Sequence, residues 1–288
     1  MIDQDSFRRF IFEDIGVRGE LVHLDASWHN VLARHAYPAS VSTHLGQALA
    51  AVLLLSGTIK FQGSLILQAQ SEGPLHTLVA HATHTRTIRG LAQWHEPVPA
   101  GTLPAVFGQG RLVMTIQNQG SEPYQGIVAL EGSNLAGAIQ NYFAISEQLP
   151  TRLWLAADGE RAAGLFIQEM PTHHGTRDDW ERVTLLADTL TERELLHLPD
   201  EELLFRLFNE EKVRMFEPEP VSFRCSCSRE RIEQVLLGLG LEEAEKLLEE
   251  QGQVEATCEF CNRRYTLDTV DVHALFAHST AVKPSTRH

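Results

Sequence analysis

The first 224 residues of this 288-residue chain contain no cysteine; all four lie in the last quarter, at positions 225, 227, 258 and 261. A disulfide framework spread over the chain is therefore excluded, and sulfur chemistry is confined to one place. Basic residues are also scarce. Lys and Arg total 24 against 38 Asp and Glu, a formal net charge of −14. Such a balance repels phosphate backbones and anionic bilayers, and the densest basic stretches, Arg8-Arg9 and Arg263-Arg264, are too short to reverse it. Neither nucleic acid nor membrane is an expected partner. The longest apolar run, 49–56 (LAAVLLLS), falls well short of the ~20 residues of a membrane span. The opening MIDQDSFRRF has an acidic lead and no apolar stretch before a cleavage site, so a cytoplasmic protein with reduced thiols is expected.

Catalytic signatures are missing too. There is no G-x-x-x-x-G-K-[ST] phosphate loop, so nucleotide is not an expected ligand. Gly132-Ser133-Asn134 lacks the flanking pattern of a nucleophile elbow. Among fourteen histidines the closest groupings, His81 with His84 and His173 with His174, lack the H-E-x-x-H form, which favours surface or hydrogen-bonded rings. His273 and His278 lie near the cysteines but are not needed beside four thiolates. No catalytic residue is expected, and the chain is not read as an enzyme.

What is present is an apolar fraction of 43% and enough length for one large or two smaller domains. Residues 1–171 hold most of the strand patterns. Alternation marks 17–24 as a half-buried strand, and 63–70, 75–82, 110–117 and 125–130 as hairpin-forming strands. Segments 151–157 and 161–168 form a hairpin around Asp158-Gly159. Helices are expected at 28–35, at 44–55 (capped by Ser42 or Thr43 and broken by Gly57), and at 134–143. Hairpins mixed with a few helices give an α+β fold.

From 171 to 220 there are 13 acidic and 6 basic residues, a net −7 that is half of the chain's excess. Thr191-Glu192-Arg193-Glu194 is a capping box, and Leu203, Leu204, Leu207 and Phe208 share one helical stripe. Residues 172–220 thus read as an acidic helical linker. Its short amphipathic helices are marginal alone, so their apolar faces must dock and could undock, although a helical linker that never moves is the commoner case. Residues 221–288 form the C-terminal segment, with helices at 229–239 and 241–251, strands at 253–257 and 263–267, and a helix at 270–278.

Cys225-x-Cys227 and Cys258-x-x-Cys261, separated by a helix-sized insert, are able to close a tetrahedral four-thiolate site, for which zinc is the usual occupant. A permanent structural zinc ribbon is the commoner use of such a site. The C-x-C half tempers that, because zinc ribbons normally use C-x-x-C twice and cysteines one residue apart make a strained, easily reduced disulfide. A C-x-x-C oxidoreductase would sit at a helix N-terminus in a βαβ setting, which the strand-turn-strand pattern does not match. On residues alone, a redox switch and a constitutive zinc-ribbon interaction module attached to a regulatory or enzymatic N-terminal domain both remain.

The residues around the cysteines carry a resemblance. Phe223-Arg224-Cys225-Ser226-Cys227-Ser228-Arg229-Glu230-Arg231 and Cys258-Glu259-Phe260-Cys261-Asn262-Arg263-Arg264-Tyr265 are similar to the two halves of the zinc site in the redox-regulated 33-kDa heat shock chaperone (33-kDa chaperonin) family. Gly63-Ser64-Leu65, Tyr124-Gln125-Gly126-Ile127-Val128, Leu130-Glu131-Gly132 and Ser146-Glu147-Gln148-Leu149-Pro150-Thr151 resemble its N-terminal domain. The resemblance implies an ATP-independent holdase for unfolding client proteins. In the reduced state Cys225, Cys227, Cys258 and Cys261 would hold one zinc per chain and the protein would be inactive. Under oxidative stress with heat, disulfides Cys225–Cys227 and Cys258–Cys261 would form, zinc would leave, the linker and zinc domain would unfold, and homodimers would bind clients.

Overall fold

The computed structural model describes residues 5–170 and 176–281, so the expected boundary at 171/172 and the His173-His174 pair lie outside the described residues. The chain divides into two units, Met1–Arg224 and Cys225–His288.

The first unit is built on two sheets with a helix between them. Sheet I runs in the order Val213–Met215, Ser6–Phe12, Val17–Leu24, Ala162–Glu169, Thr151–Ala157, with Glu219–Pro220 also pairing onto Ser6–Phe12. Sheet II runs Ser222–Phe223, Thr87–Trp94, Leu75–Thr83, Gly63–Ser71, Gly110–Asn118, Tyr124–Ala129. Helix Ala39–Thr58 fills the space between, and its side chains Leu45, Leu49, Val52, Leu53 and Leu54 are fully buried. They meet Phe7, Val22 and Phe166 of sheet I and Leu65, Leu78, Ala80 and Ile88 of sheet II in one core.

This helix departs from expectation at both ends. It begins after Pro38 rather than at a Ser42 or Thr43 cap, and both of those hydroxyls bond instead to the Ala39 carbonyl. Gly57 does not end it. A Cβ at Gly57 would collide with the Phe7 ring and the Glu20 carboxylate, so glycine is there for close approach to sheet I. At 20 residues the helix is long and apolar enough to cross a bilayer, which corrects the estimate from run length alone; its residues are covered by the two sheets instead.

The strand Val17–Leu24 is buried along both faces, not one. Leu24, Val22 and Glu20 face the central helix, while Val17, Leu21 and His23 face the linker helices, which form a further layer. Those helices, Arg177–Ala187, Glu192–His197 and Asp200–Phe208, carry capping boxes at Thr176 and Thr191. Val183, Leu195, Leu203, Leu204, Leu207 and Phe208 pack against Phe10, Phe12, Leu21, Leu165 and Ile167 of sheet I. Phe208 meets Phe12 edge to face at 4.9 Å. Fully burying side chains of this size contributes about 1.5–3 kcal/mol each.

Charge follows the same interface. Arg152 pairs with Asp188, Arg9 and Arg86 both pair with Glu219, and Arg8 pairs with Asp200 and Glu201. The acidity of residues 171–220 thus has a structural use, since the arginines of the first 152 residues receive it. At the centre of the layer, Asp200 Oδ2 stands 3.0 Å from Arg8 Nε and Asp200 Oδ1 stands 3.0 Å from His23 Nδ1. His23 Nε2 lies 2.8 Å from the Leu195 carbonyl oxygen. All three side chains are buried, so this ion cluster sits inside an otherwise apolar contact.

The second unit has a small core of its own. Helices Arg229–Leu239, Leu241–Gln251 and Thr269–Ala281 surround the hairpin Val254–Thr257/Arg264–Leu267. Among the described residues the buried apolar side chains are Leu236, Ala244, Leu248, Val254, Leu267 and Val272. Such a core is too slight to hold a domain of this size by itself. Residues 221–224 lie with the first unit, where Ser222–Phe223 adds a parallel strand beside Thr87–Trp94.

Candidate metal centre

Two local structures place the cysteines. The hairpin ladder ends at Thr257 opposite Arg264, and the next residue, Cys258, donates its N–H to the Arg263 carbonyl. The Cys258 carbonyl then accepts from the N–H groups of Cys261 and Asn262. Asn262 takes φ +56°, a left-handed position that asparagine tolerates, and this closes a tight turn. On the other side Cys225-Ser226-Cys227 lies outside any helix or strand and leads into a helix capped by Ser228, whose hydroxyl accepts from Arg231 N–H. Arg231 also donates to Ser226 Oγ at 2.7 Å. Arg229 binds the Thr266 carbonyl and pairs with Asp271, which ties the helix start to the hairpin and the last helix.

The result is one cluster. The four sulfurs all lie within 4.8 Å of one another, with Cys225 Sγ 3.6 Å from Cys258 Sγ and Cys227 Sγ 3.3 Å from Cys261 Sγ. A tetrahedral ion with bonds of ~2.3 Å sets sulfurs roughly 3.8 Å apart, so the donor set fits a metal of zinc's size and thiolate preference. All four are half-buried.

Electrostatics make the same point. Burial pushes the Cys227 thiol up, but hydrogen bonds from Tyr265 and the neighbouring thiols outweigh it and bring it down to about 7. Burial raises Cys261 to about 12, and the neighbouring sulfurs add to the rise. Cys258 is raised as well, by burial first and by Cys225 beside it. Without a cation the cluster accepts one negative charge readily and resists more; a divalent ion is what allows four thiolates together.

The four expected residues are thus brought together, and among the described residues they are the one group of His, Cys, Asp or Glu placed to share an ion. His84 does not join His81 in such a group; it accepts from the Gly63 N–H, and His273 stands near Glu245. Sequence reasoning passed over two features. The Tyr265 hydroxyl donates to Cys227 Sγ at 3.2 Å. The Arg8–Asp200–His23 cluster is the second, since no spacing within the sequence links Arg8 or His23 to Asp200.

The family model described as Hsp33 protein matches residues 5–268. The chain is 62% identical to the 33 kDa chaperonin of Nitrosococcus oceani over the full length of both, and 48% identical to that of Pseudomonas paraeruginosa, again over both full lengths. In fold it is similar to the crystal structure of the 33 kDa chaperonin (heat shock protein 33 homolog) of Thermotoga maritima. The TM-score is 0.81, covering 96% of this chain and 99% of that one at 22% identity. The chain belongs to the Hsp33 family of heat shock chaperones.

Proposed function

We propose that this chain is a redox-switched, ATP-independent holdase that is silent when reduced and metal-bound. The observation that carries the proposal is the gathering of four sulfurs within 4.8 Å in a unit with few buried side chains of its own. Cys225, Cys227, Cys258 and Cys261 would hold one zinc ion. Bound zinc would balance the thiolate charge and supply folding energy on the order of 10–16 kcal/mol.

Oxidation acts on the sulfurs. For each pair, the two thiolates give two electrons to a peroxide, its O–O bond breaks, an S–S bond forms, and two hydroxides leave, each taking a proton from solvent to become water. Disulfide sulfurs no longer offer thiolate donors, so the cluster gives up its cation and the unit loses that folding energy. The pairs we propose are Cys225–Cys227 and Cys258–Cys261. Sulfur contacts of 3.6 and 3.3 Å run across the pairs, so peptide mapping of oxidised protein is a direct check.

The linker supplies the second half of the switch. Strands Glu219–Pro220 and Ser222–Phe223 directly precede Cys225 and hold the end of the linker to both sheets. Undocking of the linker helices would bare Phe10, Phe12, Leu21, Leu165 and Ile167, an apolar face suited to unfolding clients and to a second copy of the chain. The test is light scattering from a thermally unfolding client with reduced and with peroxide-oxidised protein. Suppression by the oxidised form alone is expected. Equal suppression by both forms, or by neither, would remove the switch.

A further inference from the structure

We propose that Tyr265 is a positioning residue of this thiol switch, its hydroxyl holding Cys227 in the sulfur cluster and slowing that sulfur's attack on a peroxide. The proposal rests on the metal-bound reduced state inferred above. Tyr265 lies on the second hairpin strand, opposite Ala256, four residues beyond Cys261. Its hydroxyl nevertheless serves the other half of the cluster, donating to Cys227 Sγ at 3.2 Å across 38 residues of chain. That O–H is also a link between the C-x-C segment and the C-x-x-C hairpin that does not pass through a metal.

A donated O–H draws on the sulfur lone pair that a nucleophile must use, and it orients the sulfur toward its partners. In the guarded step Cys227 sulfur attacks one peroxide oxygen, the O–O bond breaks, and hydroxide leaves to give a sulfenic acid. A second cysteine thiolate then displaces hydroxide from that sulfur and closes the disulfide. Each hydroxide takes up a proton to become water. The first step must loosen the Tyr265 bond as charge leaves the sulfur. A hydrogen bond to a charged group is worth about tenfold in an equilibrium, and a transition state that has given up half of it leaves about threefold in rate.

Tyr265→Phe keeps the ring and removes one O–H. Zinc-loaded full-length wild type and variant are treated with hydrogen peroxide, and separately with iodoacetamide, and initial modification of each cysteine is followed by peptide mass spectrometry. Cys227 is expected to react about threefold faster in the variant, with Cys258 changed far less. In cobalt-substituted protein the sulfur-to-metal charge-transfer band is expected to shift, which packing alone would not cause. Replacing Tyr265 by 4-aminophenylalanine, whose N–H can donate, is expected to restore both readouts. An unchanged Cys227 rate in the phenylalanine variant overturns the proposal. So does an equal rise at all four cysteines, which would report a loosened domain. If wild type itself retains no zinc, the metal centre falls with it; if wild type is loaded and the variant indistinguishable, this inference alone fails.

Discussion

Asp200→Ala removes the linker's buried charged contact with sheet I. The Asp200 side chain is 4% exposed, and its partners Arg8 and His23 are 8% and 6% exposed. Removing one partner of a buried ion pair costs about 3–5 kcal/mol, because the remaining charge stays buried without it. Arg8 keeps Glu201 at 2.9 Å, which places the loss near the lower end, about 3 kcal/mol. At ~1.4 kcal/mol per decade, the linker should open roughly a hundredfold more often. Native-state hydrogen exchange on reduced, zinc-loaded protein reads this directly over 177–208 and over the sheet I strands beneath. Glu201→Ala is the control. Its side chain is 70% exposed, so less than about 1 kcal/mol is expected and exchange should barely move. Wild-type protection in Asp200→Ala would show that the apolar contacts alone hold the layer and that the buried ions do not pin it. Exchange rising equally throughout residues 5–170 would instead report global destabilisation.

Phe208→Ala leaves a hole against Phe12 and should cost about 3–5 kcal/mol, seen as a lower urea midpoint; a change below about 1 kcal/mol would mean the layer is not tightly packed. Burial pushes Glu20 up to about 8 despite Arg18, Arg86 and Arg9, and its Oε2 has no hydrogen-bond partner. Its folded value stands above the unfolded 4.5, so its relative stabilisation is full below about 4.5 and is lost as pH rises through about 8. The unfolding free energy of wild type from urea titrations should therefore fall from pH 5 to pH 8 by up to about 1.4 kcal/mol per unit, and that of Glu20→Gln should fall less. An identical fall in both would assign the pH dependence elsewhere. Cys258→Ser with Cys261→Ser should abolish tight zinc binding and render 225–281 protease-sensitive, and unchanged resistance of that segment would count against a metal-dependent fold.

The parts of the fold that local pattern determines were legible in the sequence. Strands Gly63–Ser71, Leu75–Thr83 and Gly110–Asn118 follow their alternation because one face of sheet II meets the core while the other is only half-covered. The cysteine pairs were legible because each forms its own tight local geometry. Other features depend on what packs where. Thr87–Trp94 was passed over, its alternation blurred by Gly90, which lies close to Leu45 and Leu49 of the central helix. Val17–Leu24 looked half-buried because no pattern within it announces a second layer on its far side. Asp200 looked like one more acid on a charged linker, and Tyr265 like a strand aromatic. Each gains its role from a partner 192 or 38 positions away (Arg8 and Cys227), a distance that spacing rules do not reach.

The most direct measurement follows zinc and client protection in one sample. Zinc-loaded protein is treated with hydrogen peroxide at elevated temperature, while a chromogenic chelator reports free metal and light scattering reports a client's aggregation. Release of about one zinc per chain, rising in step with suppression of aggregation, is the expected result. Protection appearing while the metal stays bound at full stoichiometry would contradict the proposed coupling, as would complete zinc release with no protection at all.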